Sequence, residues 1–331
     1  MRQSVGIVGA GVSGLVAARG LAEAGHQVRV LDRGRSVGGR LATRRIGEAR
    51  LDHGAQFFTI RTDEFASTIG GPLSDGTAYE WCRGFGTEDG HPRYAVRDGM
   101  NRLAKYLATD LDVTVDVEVE SVASTPSGWE LRYLGGSVTA DALVLTAPIP
   151  QSLRLLTVGR TTIDPQLRAR LDAVTYHPTL AVLATLDRPP AVPAPGGVQL
   201  SDGPFGFVAD NQAKGISEAP AVTLHATHEL SRQRWDDDPD TVLGDLLTEA
   251  QPWLGDAVVV EAHLKRWRYA QPADPAAEEI ATTVVDGRPL VFAGDAFAGA
   301  RVEGAFRSGA AAARHLASVL AGDDPAGPMP R

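Results

Sequence analysis

The first 32 residues combine two apolar runs with a glycine-rich segment between them. Residues 5–8 are apolar, a glycine-rich turn follows, and residues 13–24 carry the composition of a helix. A second apolar run over residues 26–31 ends on Asp32. This order predicts a strand, a tight turn, a helix and a second strand.

Strand-like apolar runs recur along the rest of the chain, at residues 112–119, 129–133, 142–148, 179–187, 206–209, 222–227, 258–268 and 288–292. An alanine-rich stretch over about 304–320 predicts a long helix after the last of these strands. The mixture of strands and helices indicates an α/β protein.

Three glycines shape the turn after the first strand. Gly9 permits the tight turn, Gly11 lets the backbone approach a pyrophosphate, and Gly14 lets the helix pack closely on the strand. The unpaired N–H groups at the helix start favour a phosphate there, and Asp32 is placed to accept from an adenosine ribose. A lone GxGxxG is weak evidence, but here every element stands in the expected order. The predicted dinucleotide contacts are Gly9, Gly11, Val12, Ser13, Gly14 and Asp32.

A second glycine pair directly after Asp32 argues against NAD as the bound dinucleotide. An NAD domain would continue into another helix and strand, whereas here Arg33 is followed by Gly38, Gly39 and Arg40. Alone, this segment would be a turn with a solvated arginine, but its position favours a guanidinium that forks onto a diphosphate. The next segment, LDHGAQFF, adds the predicted contacts His53, Gly54, Ala55, Gln56 and Phe57.

A third nucleotide element is expected near the C-terminus. The strand over 288–292 leads to Gly294 and Asp295, and Asp295 is placed to accept from a ribityl hydroxyl or to lie near the pyrophosphate. The positive end of the following helix would face the flavin N1–C2=O edge. The predicted contacts of this element are Gly294, Asp295, Arg301, Val302, Glu303 and Gly304. Val117, on the predicted strand over 112–119, could pack on the adenine.

These segments together resemble a known family. GAGVSG, DRGRSVGGR, LDHGAQFF, RDGMNRLA, KRWRYAQP, AGD and RVEGAFRSG stand in the order found in the FAD-dependent amine oxidase (flavin monoamine oxidase) superfamily, and are most similar to its renalase-like branch. The resemblance implies a Rossmann-like FAD-binding domain of the p-hydroxybenzoate-hydroxylase and amine-oxidase type, with a smaller mixed-sheet substrate domain. It also implies that Thr146 lies on the cofactor side, although its strand is equally well explained as sheet core. We expect residues 1–60, 93–160 and 284–331 to form the FAD-binding domain and residues 61–92 and 161–283 the substrate domain.

Composition narrows the class of protein. The 331 residues carry a net charge of −9, which argues against a nucleic-acid partner or an anionic membrane surface. The longest apolar runs are too short to span a bilayer, and no signal peptide is evident. The single cysteine, Cys82, fits a reducing cytoplasm and excludes an internal disulfide. Because no His or Cys cluster has metal-ligand spacing, we expect no metal. Cys82 lies outside every nucleotide-binding motif, and no histidine precedes His315 in the C-terminal nucleotide element, so we expect the cofactor, FAD, to be bound noncovalently.

The candidate catalytic residues lie in the expected substrate domain. Trp267 and Tyr269 stand two apart on one strand, so they share a face that could stack a planar substrate against the flavin. Core packing is the commoner role for such pairs, and for His225 a core role and a pocket role are about equally expected. Beside these three candidates we place Arg268, with Asn211 and Arg61 behind them.

Lysine usage bears on the reaction. The resemblance implies that a true amine oxidase holds a lysine near flavin N5, whereas the three lysines here, Lys105, Lys214 and Lys265, include no obvious match. A dihydropyridine needs no base, because its ring nitrogen drives hydride release. The renalase-like hypothesis is therefore oxidation of 2- or 6-dihydro isomers of NAD(P)H to NAD(P)+, with molecular oxygen reduced to hydrogen peroxide. The alternatives are a flavin oxidase or dehydrogenase of an amine or another small metabolite, and a non-catalytic flavin-binding protein.

Overall fold

The computed structural model describes residues 2–85 and 90–322. The chain divides into two compact units. The first unit contains Met1–Gly39, Leu107–Thr175 and Asp274–Arg331, and the second contains Arg40–Tyr106 and Tyr176–Ala273. Within the described residues, no helix is long and apolar enough to cross a membrane.

The strands, numbered in chain order, are β1 (Ser4–Val8), β2 (Gln27–Leu31), β3 (Thr43–Ile46), β4 (Ala49–Asp52), β5 (Ala78–Cys82), β6 (Arg93–Val96), β7 (Val113–Thr114), β8 (Val119–Thr125), β9 (Gly128–Tyr133), β10 (Gly136–Ala140), β11 (Ala142–Leu145), β12 (Tyr176–Leu186), β13 (Gly197–Gln199), β14 (Phe205–Asp210), β15 (Ala221–Ala226), β16 (Val259–Pro272), β17 (Ala281–Val285) and β18 (Arg288–Phe292).

The helices are α1 (Val12–Glu23), α2 (Asp63–Thr68), α3 (Gly70–Ser74), α4 (Asn101–Leu107), α5 (Ile149–Val158), α6 (Pro165–Asp172), α7 (His228–Gln233), α8 (Pro239–Glu249), α9 (Gln251–Leu254) and α10 (Val302–Ala321).

The first unit is built on a six-stranded sheet in the order β17-β18-β11-β1-β2-β7. All neighbours pair in parallel except the edge strand β17. Parallel strands are covered on both faces, which explains why β1, β11 and β18 are almost continuously apolar and buried. The predicted Rossmann-like α/β fold is therefore confirmed.

One predicted strand in this unit is interrupted. The sequence pattern predicts a strand over 112–119, but β7 ends at Thr114 and β8 begins at Val119. Asp116 between them has φ +58°, a left-handed conformation that strands do not use. Val117 therefore lies in the connection, where its N–H donates to the Asp32 carbonyl oxygen at 2.9 Å.

The second unit is built on an antiparallel sheet in the order β13-β14-β15-β12-β16. Leu180, Val182 and Leu224 on one face pack into an apolar core with Val242 and Leu246 of α8. On the other face, Leu183 packs against the hairpin formed by β3 and β4. The alternation of these side chains follows directly from strand geometry.

Packing places residues 40–60 and 93–106 in the second unit, although the sequence prediction assigns them to the FAD-binding domain. The reason is that Ile46 and Leu51 of the β3–β4 hairpin share a core with Leu183 and Ala221. The division into an FAD-binding domain and a substrate domain stays a prediction.

Candidate functional site

The glycine turn of the first unit is closed by backbone contacts. The Gly9 N–H donates to the Leu31 carbonyl at 2.8 Å, and a Cβ at Gly14 would come 1.9 Å from the Gly9 carbonyl oxygen. A side chain at position 14 would therefore force the helix away from the strand. The α1 helix begins at Val12 with no side-chain cap, which leaves its first N–H groups for another acceptor.

Asp32 holds this turn together. One carboxylate oxygen accepts from the Ala10 N–H and the other from the Gly34 N–H, each at 2.6 Å. The Gly38 N–H donates to the Ala10 carbonyl at 2.8 Å, which brings the second glycine pair to the turn. A carboxylate has about four acceptor positions, so two such bonds leave capacity for ribose hydroxyls. The structure thus gathers the predicted contacts Gly9, Gly11, Val12, Ser13, Gly14, Asp32, Arg33, Gly39 and Val117 around one turn.

Thr146 supports the turn rather than standing apart from it. Its hydroxyl donates to the carbonyl oxygens of Val8 and Gly9, at 2.9 and 3.1 Å. Because this contact joins the end of β11 to the end of β1, Thr146 has a structural role whether or not it also contacts a cofactor.

The C-terminal element lies in the same unit. A Cβ at Gly304 would come 1.9 Å from the Gly299 carbonyl oxygen, so the first turn of α10 needs glycine there. Helix α10 packs on α1 through small residues, since a Cβ at Gly309 would come 2.3 Å from the Ser13 carbonyl oxygen. A Cβ at Gly294 would lie 3.6 Å from the Thr146 carbonyl oxygen, so Gly294 comes close to the residue that supports the glycine turn. A role in cofactor binding for Gly294, Asp295, Arg301, Val302, Glu303 and Gly304 stays a prediction.

One polar atom at this place lacks a partner. The Ser13 Oγ is buried and makes no hydrogen bond within residues 2–85 and 90–322. A buried hydroxyl without a partner is costly, so its position on the first turn of α1 fits a bound acceptor such as a phosphate.

Two ring pairs of the second unit, Trp267 with His53 and Tyr269 with Tyr176, form what we call the aromatic wall. The Trp267 indole stacks on the His53 imidazole, with centroids 5.4 Å apart and an interplanar angle of 21°. Its Nε1–H donates to the His53 carbonyl oxygen at 2.7 Å, and the Lys265 ammonium lies 4.9 Å from its ring centroid. Tyr269 contacts Tyr176 edge-on at 5.4 Å.

Both imidazoles here are held neutral. Burial lowers the pKa of His53 to about 3, with a smaller contribution from the positive charge of Lys265. Burial also lowers the pKa of His225 to about 4, against a hydrogen bond to the His53 backbone that acts in the opposite direction. The His53 Nδ1 is buried and makes no hydrogen bond within the described part of the chain.

A buried ion pair lies behind this wall. The Lys214 Nζ donates to the Asp52 carboxylate at 2.8 Å, and both side chains are 0% exposed. The Lys214 Nζ is also 3.4 Å from Gln56 Oε1, and Gln56 Nε2 is 3.5 Å from His225 Nε2. A chain of four polar side chains thus runs from Asp52 to His225.

Four half-buried aromatic rings adjoin the ion pair: Phe57, Trp81, Phe85 and Phe207. Their neighbouring centroids lie 5.1–6.5 Å apart. The Arg93 guanidinium lies 5.0 Å from the Phe85 centroid and 5.7 Å from that of Phe57, while the Lys214 Nζ lies 5.3 Å from the Trp81 ring. Cations of the protein itself therefore face these rings.

Other predicted residues have local structural partners. Asn211 is fully buried, donates to the Thr223 hydroxyl at 3.0 Å and accepts from the Asp52 N–H at 3.4 Å. Arg40 donates to the carbonyl oxygens of Tyr269 and Ala270, both at 3.3 Å. The Ala55 N–H donates to the Arg40 carbonyl oxygen at 2.9 Å, beside Gly54. These contacts organise the second unit, and a role in cofactor binding or catalysis stays a prediction.

Two predicted arginines are not brought to the aromatic wall. Arg268 lies over the Trp235 ring at 4.9 Å, and Trp235 packs against the core beneath α8. The pairing of β12 and β16 shifts register between Thr179–Trp267 and His177–Gln271, so the contact with Trp235 rather than strict alternation places Arg268. Arg61 is exposed, just before α2.

Sequence reasoning missed Asp52 and Lys214 as site residues. Asp52 stood within the LDHGAQFF motif, and Lys214 was one of three lysines in the chain. Those were the available signals, but nothing local connects two residues 162 positions apart. Within residues 2–85 and 90–322, no group of three or more His, Cys, Asp or Glu side chains is arranged to hold a metal ion.

The neutral imidazoles predict acid sensitivity. His53 and His225 bind a proton less readily when folded than when unfolded, so stability is full above about pH 6.5 and falls as the pH drops towards 4. Between pH 7 and pH 5, each of the two imidazoles should lower the free energy of unfolding by roughly 2 kcal/mol. Urea unfolding at pH 7, 6 and 5 measures this loss. His225→Gln should remove about half of this pH dependence, whereas His91→Gln, at an exposed histidine, is the control and should remove none. The same pH dependence in wild type and both variants would contradict the role given to His225.

Two family models match the chain. Residues 7–66 match the NAD(P)-binding Rossmann-like domain, and residues 61–317 match the flavin containing amine oxidoreductases. Among curated proteins, Protein FLOWERING LOCUS D of Arabidopsis thaliana is 33% identical over 140 residues. That stretch is 42% of this chain and 16% of the relative, so the chain spans less than a fifth of the relative's length.

Solved structures share the fold. A putative protoporphyrinogen oxidase from Exiguobacterium sp. 255-15 superposes with a TM-score of 0.73 at 12% identity, over 96% of this chain and 99% of that one. Putrescine oxidase bound to putrescine gives a TM-score of 0.69 at 16% identity, over 97% of this chain and 99% of that one. A CLA-producing fatty acid isomerase from P. acnes gives 0.58 at 15% identity, over 82% and 86%.

At such identities the structural likeness establishes the fold and leaves the substrate open. The family model for the oxidoreductases, however, matches far more than half of the chain. This protein therefore belongs to the flavin containing amine oxidoreductase family.

Proposed function

We propose that this protein is a renalase-like oxidase that binds FAD noncovalently and oxidises 2- or 6-dihydro isomers of NAD(P)H to NAD(P)+. When bound, FAD would accept the hydride and pass the electrons to molecular oxygen, giving hydrogen peroxide. The observation that carries the proposal is the flat ring surface of Trp267, which is held by stacking on His53 and by a hydrogen bond to the His53 carbonyl oxygen.

The described residues fit an FAD. The glycine turn and the first turn of α1 would hold the pyrophosphate, and the unpartnered Ser13 hydroxyl supports that placement. Asp32 would accept from the ribose, and the N-terminus of α10 would favour negative charge on the flavin.

The weakly basic imidazoles disfavour an amine substrate. An alkylammonium ion has a pKa near ~10, like that of lysine, and must lose a proton before it can release a hydride. Transfer to His225, whose pKa is about 4, would be uphill by roughly 8 kcal/mol. Lys214 is no better as a base, because its ammonium is fully buried and paired with Asp52.

The aromatic surfaces support a planar substrate. Trp267 presents an indole whose orientation is fixed by stacking on His53 and by the bond to its carbonyl oxygen. Phe57, Phe85 and Trp81 already face cations of the protein, so these rings are poorly suited to receive a substrate ammonium. A flat, uncharged dihydropyridine ring needs neither a base nor a cation site.

A second candidate function is oxidation of an amine or another small metabolite. The family's description and the fold shared with putrescine oxidase favour it. The two candidates differ in which donor reduces the flavin, and the third prediction below separates them.

The first prediction concerns the cofactor. The purified protein should be yellow and carry one FAD, and heat or acid precipitation should release the flavin into the supernatant. Cys82 is half-buried in β5, outside the FAD motifs, and is poorly placed for a covalent link. Colour retained in the pellet would contradict noncovalent binding, and FMN in the supernatant would contradict the role of Asp32.

The second prediction concerns Asp32. Asp32→Ala removes the ribose acceptor and both backbone hydrogen bonds, so FAD affinity should fall about ten- to a hundred-fold. Equilibrium dialysis measures the change. The matched control is Asp112→Asn, a half-exposed carboxylate paired with Arg29. Equal FAD retention by Asp32→Ala and wild type would show that the turn does not bind the adenosine.

The third prediction concerns the reaction. In anaerobic stopped flow, 2- or 6-dihydro isomers should bleach the flavin rapidly, whereas 4-dihydro NADH and simple amines should do so poorly. Trp267→Ala should slow bleaching by roughly two- to twelve-fold through lost ring stacking, with FAD content unchanged. Trp235→Ala, which removes a tryptophan from the opposite face of the sheet, is the control. Faster bleaching by amines than by every dihydronicotinamide isomer would support the second candidate instead.

A further inference from the structure

Lys214 is fixed by hydrogen bonds to its turn and its backbone and by an ion pair to its side chain. The turn that carries it begins at Asp210, whose carboxylate accepts from the N–H groups of Gln212 and Ala213 at 2.9 and 3.0 Å. The Tyr79 hydroxyl donates to the Lys214 carbonyl oxygen. Its ammonium reaches Asp52 with no exposed surface on either side chain.

A buried ion pair is weak evidence of stabilisation, because desolvating two charges offsets much of their attraction. Here one Asp52 carboxylate oxygen also accepts hydrogen bonds from the Thr43 hydroxyl at 2.5 Å and from the Met100 N–H at 2.8 Å. Burial lowers the pKa of Lys214 while Asp52 opposes that effect. The pair therefore places one oriented ammonium beside Gln56.

That ammonium determines which way the Gln56 amide points. An ammonium only donates, so the amide oxygen must face Lys214, at 3.4 Å. The Gln56 NH2 group then donates to the carbonyl oxygens of Asp52 and Gly54, at 2.7 and 3.2 Å. The same nitrogen lies 3.5 Å from His225 Nε2.

The amide orientation in turn selects a tautomer of His225. An NH2 group only donates, so the Nε2 that faces it is favoured as the unprotonated nitrogen. The ring hydrogen then lies on Nδ1, and a hydrogen bond between the His225 ring and the His53 backbone accompanies this arrangement. The charged or titratable groups facing His225 are His53, Lys214 and His228.

We propose that Lys214 is a positioning residue that, through the Gln56 amide, holds His225 as a neutral imidazole with its hydrogen on Nδ1. The benefit to the reaction rests on the proposed function. A dihydronicotinamide becomes a pyridinium cation when it loses hydride. A neutral His225 does not repel that positive charge, whereas a protonated one would.

The test is 15N NMR of the holoenzyme labelled at histidine, with His225 assigned by the signals lost in His225→Gln. Protonated and unprotonated ring nitrogens have distinct shifts, so the spectrum reports the tautomer directly. In wild type the Nδ1–H form should predominate. Gln56→Met, which leaves the ion pair intact, should shift the tautomer ratio towards Nε2–H by roughly two- to twelve-fold, the effect of one typical hydrogen bond.

The double variant Asp52→Asn with Lys214→Met removes the ammonium without leaving a buried lone charge, and it should shift the ratio in the same direction. Lys105→Met, an exposed lysine of α4, is the control and should match wild type. Predominant Nε2–H in wild type would overturn the proposal. So would an unchanged ratio in Gln56→Met, or in the double variant if it folds.

Flavin reduction by dihydronicotinamide isomers is measured on the same samples. A shifted tautomer ratio in proteins that no isomer reduces would uphold the role of Lys214 and reject the proposed function. Reduction by an isomer together with an unchanged ratio would do the reverse.

Discussion

The second unit depends on one buried carboxylate. Asp52 ends β4 with no exposed surface, and a charge in that position is tolerated only when it is fully paired. Its partners come from β3, from the start of α4 and from the turn after β14, through Thr43, Met100 and Lys214. Breaking the pair would strand a charge in the interior, so these segments are fixed relative to one another before any ligand arrives.

The aromatic wall inherits its geometry from this arrangement. The residue after Asp52 is His53, whose carbonyl oxygen binds the Trp267 indole and whose ring stacks on it. Gln56 returns to Asp52 through a hydrogen bond to its carbonyl oxygen. Because one short segment carries the ion pair, the stacked imidazole and the oriented amide, a displacement of Asp52 would disturb all three together.

A structural feature of this protein can be predicted from the sequence when the residues that form it are close together along the chain. The glycine turn, Asp32 and the helix after β18 are local, so spacing alone predicted their elements and the Rossmann-like fold. The sequence pattern also predicts the strands carrying His225 and Trp267: the bounds of β15 agree to one residue at each end, and those of β16 to one residue at the start and four at the end. Lys214 escaped prediction because its partner is 162 residues away. The structure places Arg268 over the Trp235 ring, a contact between residues 33 positions apart that spacing could not show, and a role for Arg268 in the site stays a prediction.

This difference in encoding has a consequence for function. The parts that bind a nucleotide need backbone N–H groups and close approach, which glycines at fixed spacing supply in any member of such a fold. The choice of substrate depends instead on protonation states, and those are set by burial and by partners distant in sequence. His225 is a weak base because it is enclosed and faces Lys214 through Gln56, and no motif around residue 225 records this. The cofactor can thus be recognised from motifs, whereas the reaction has to be read from the packed structure.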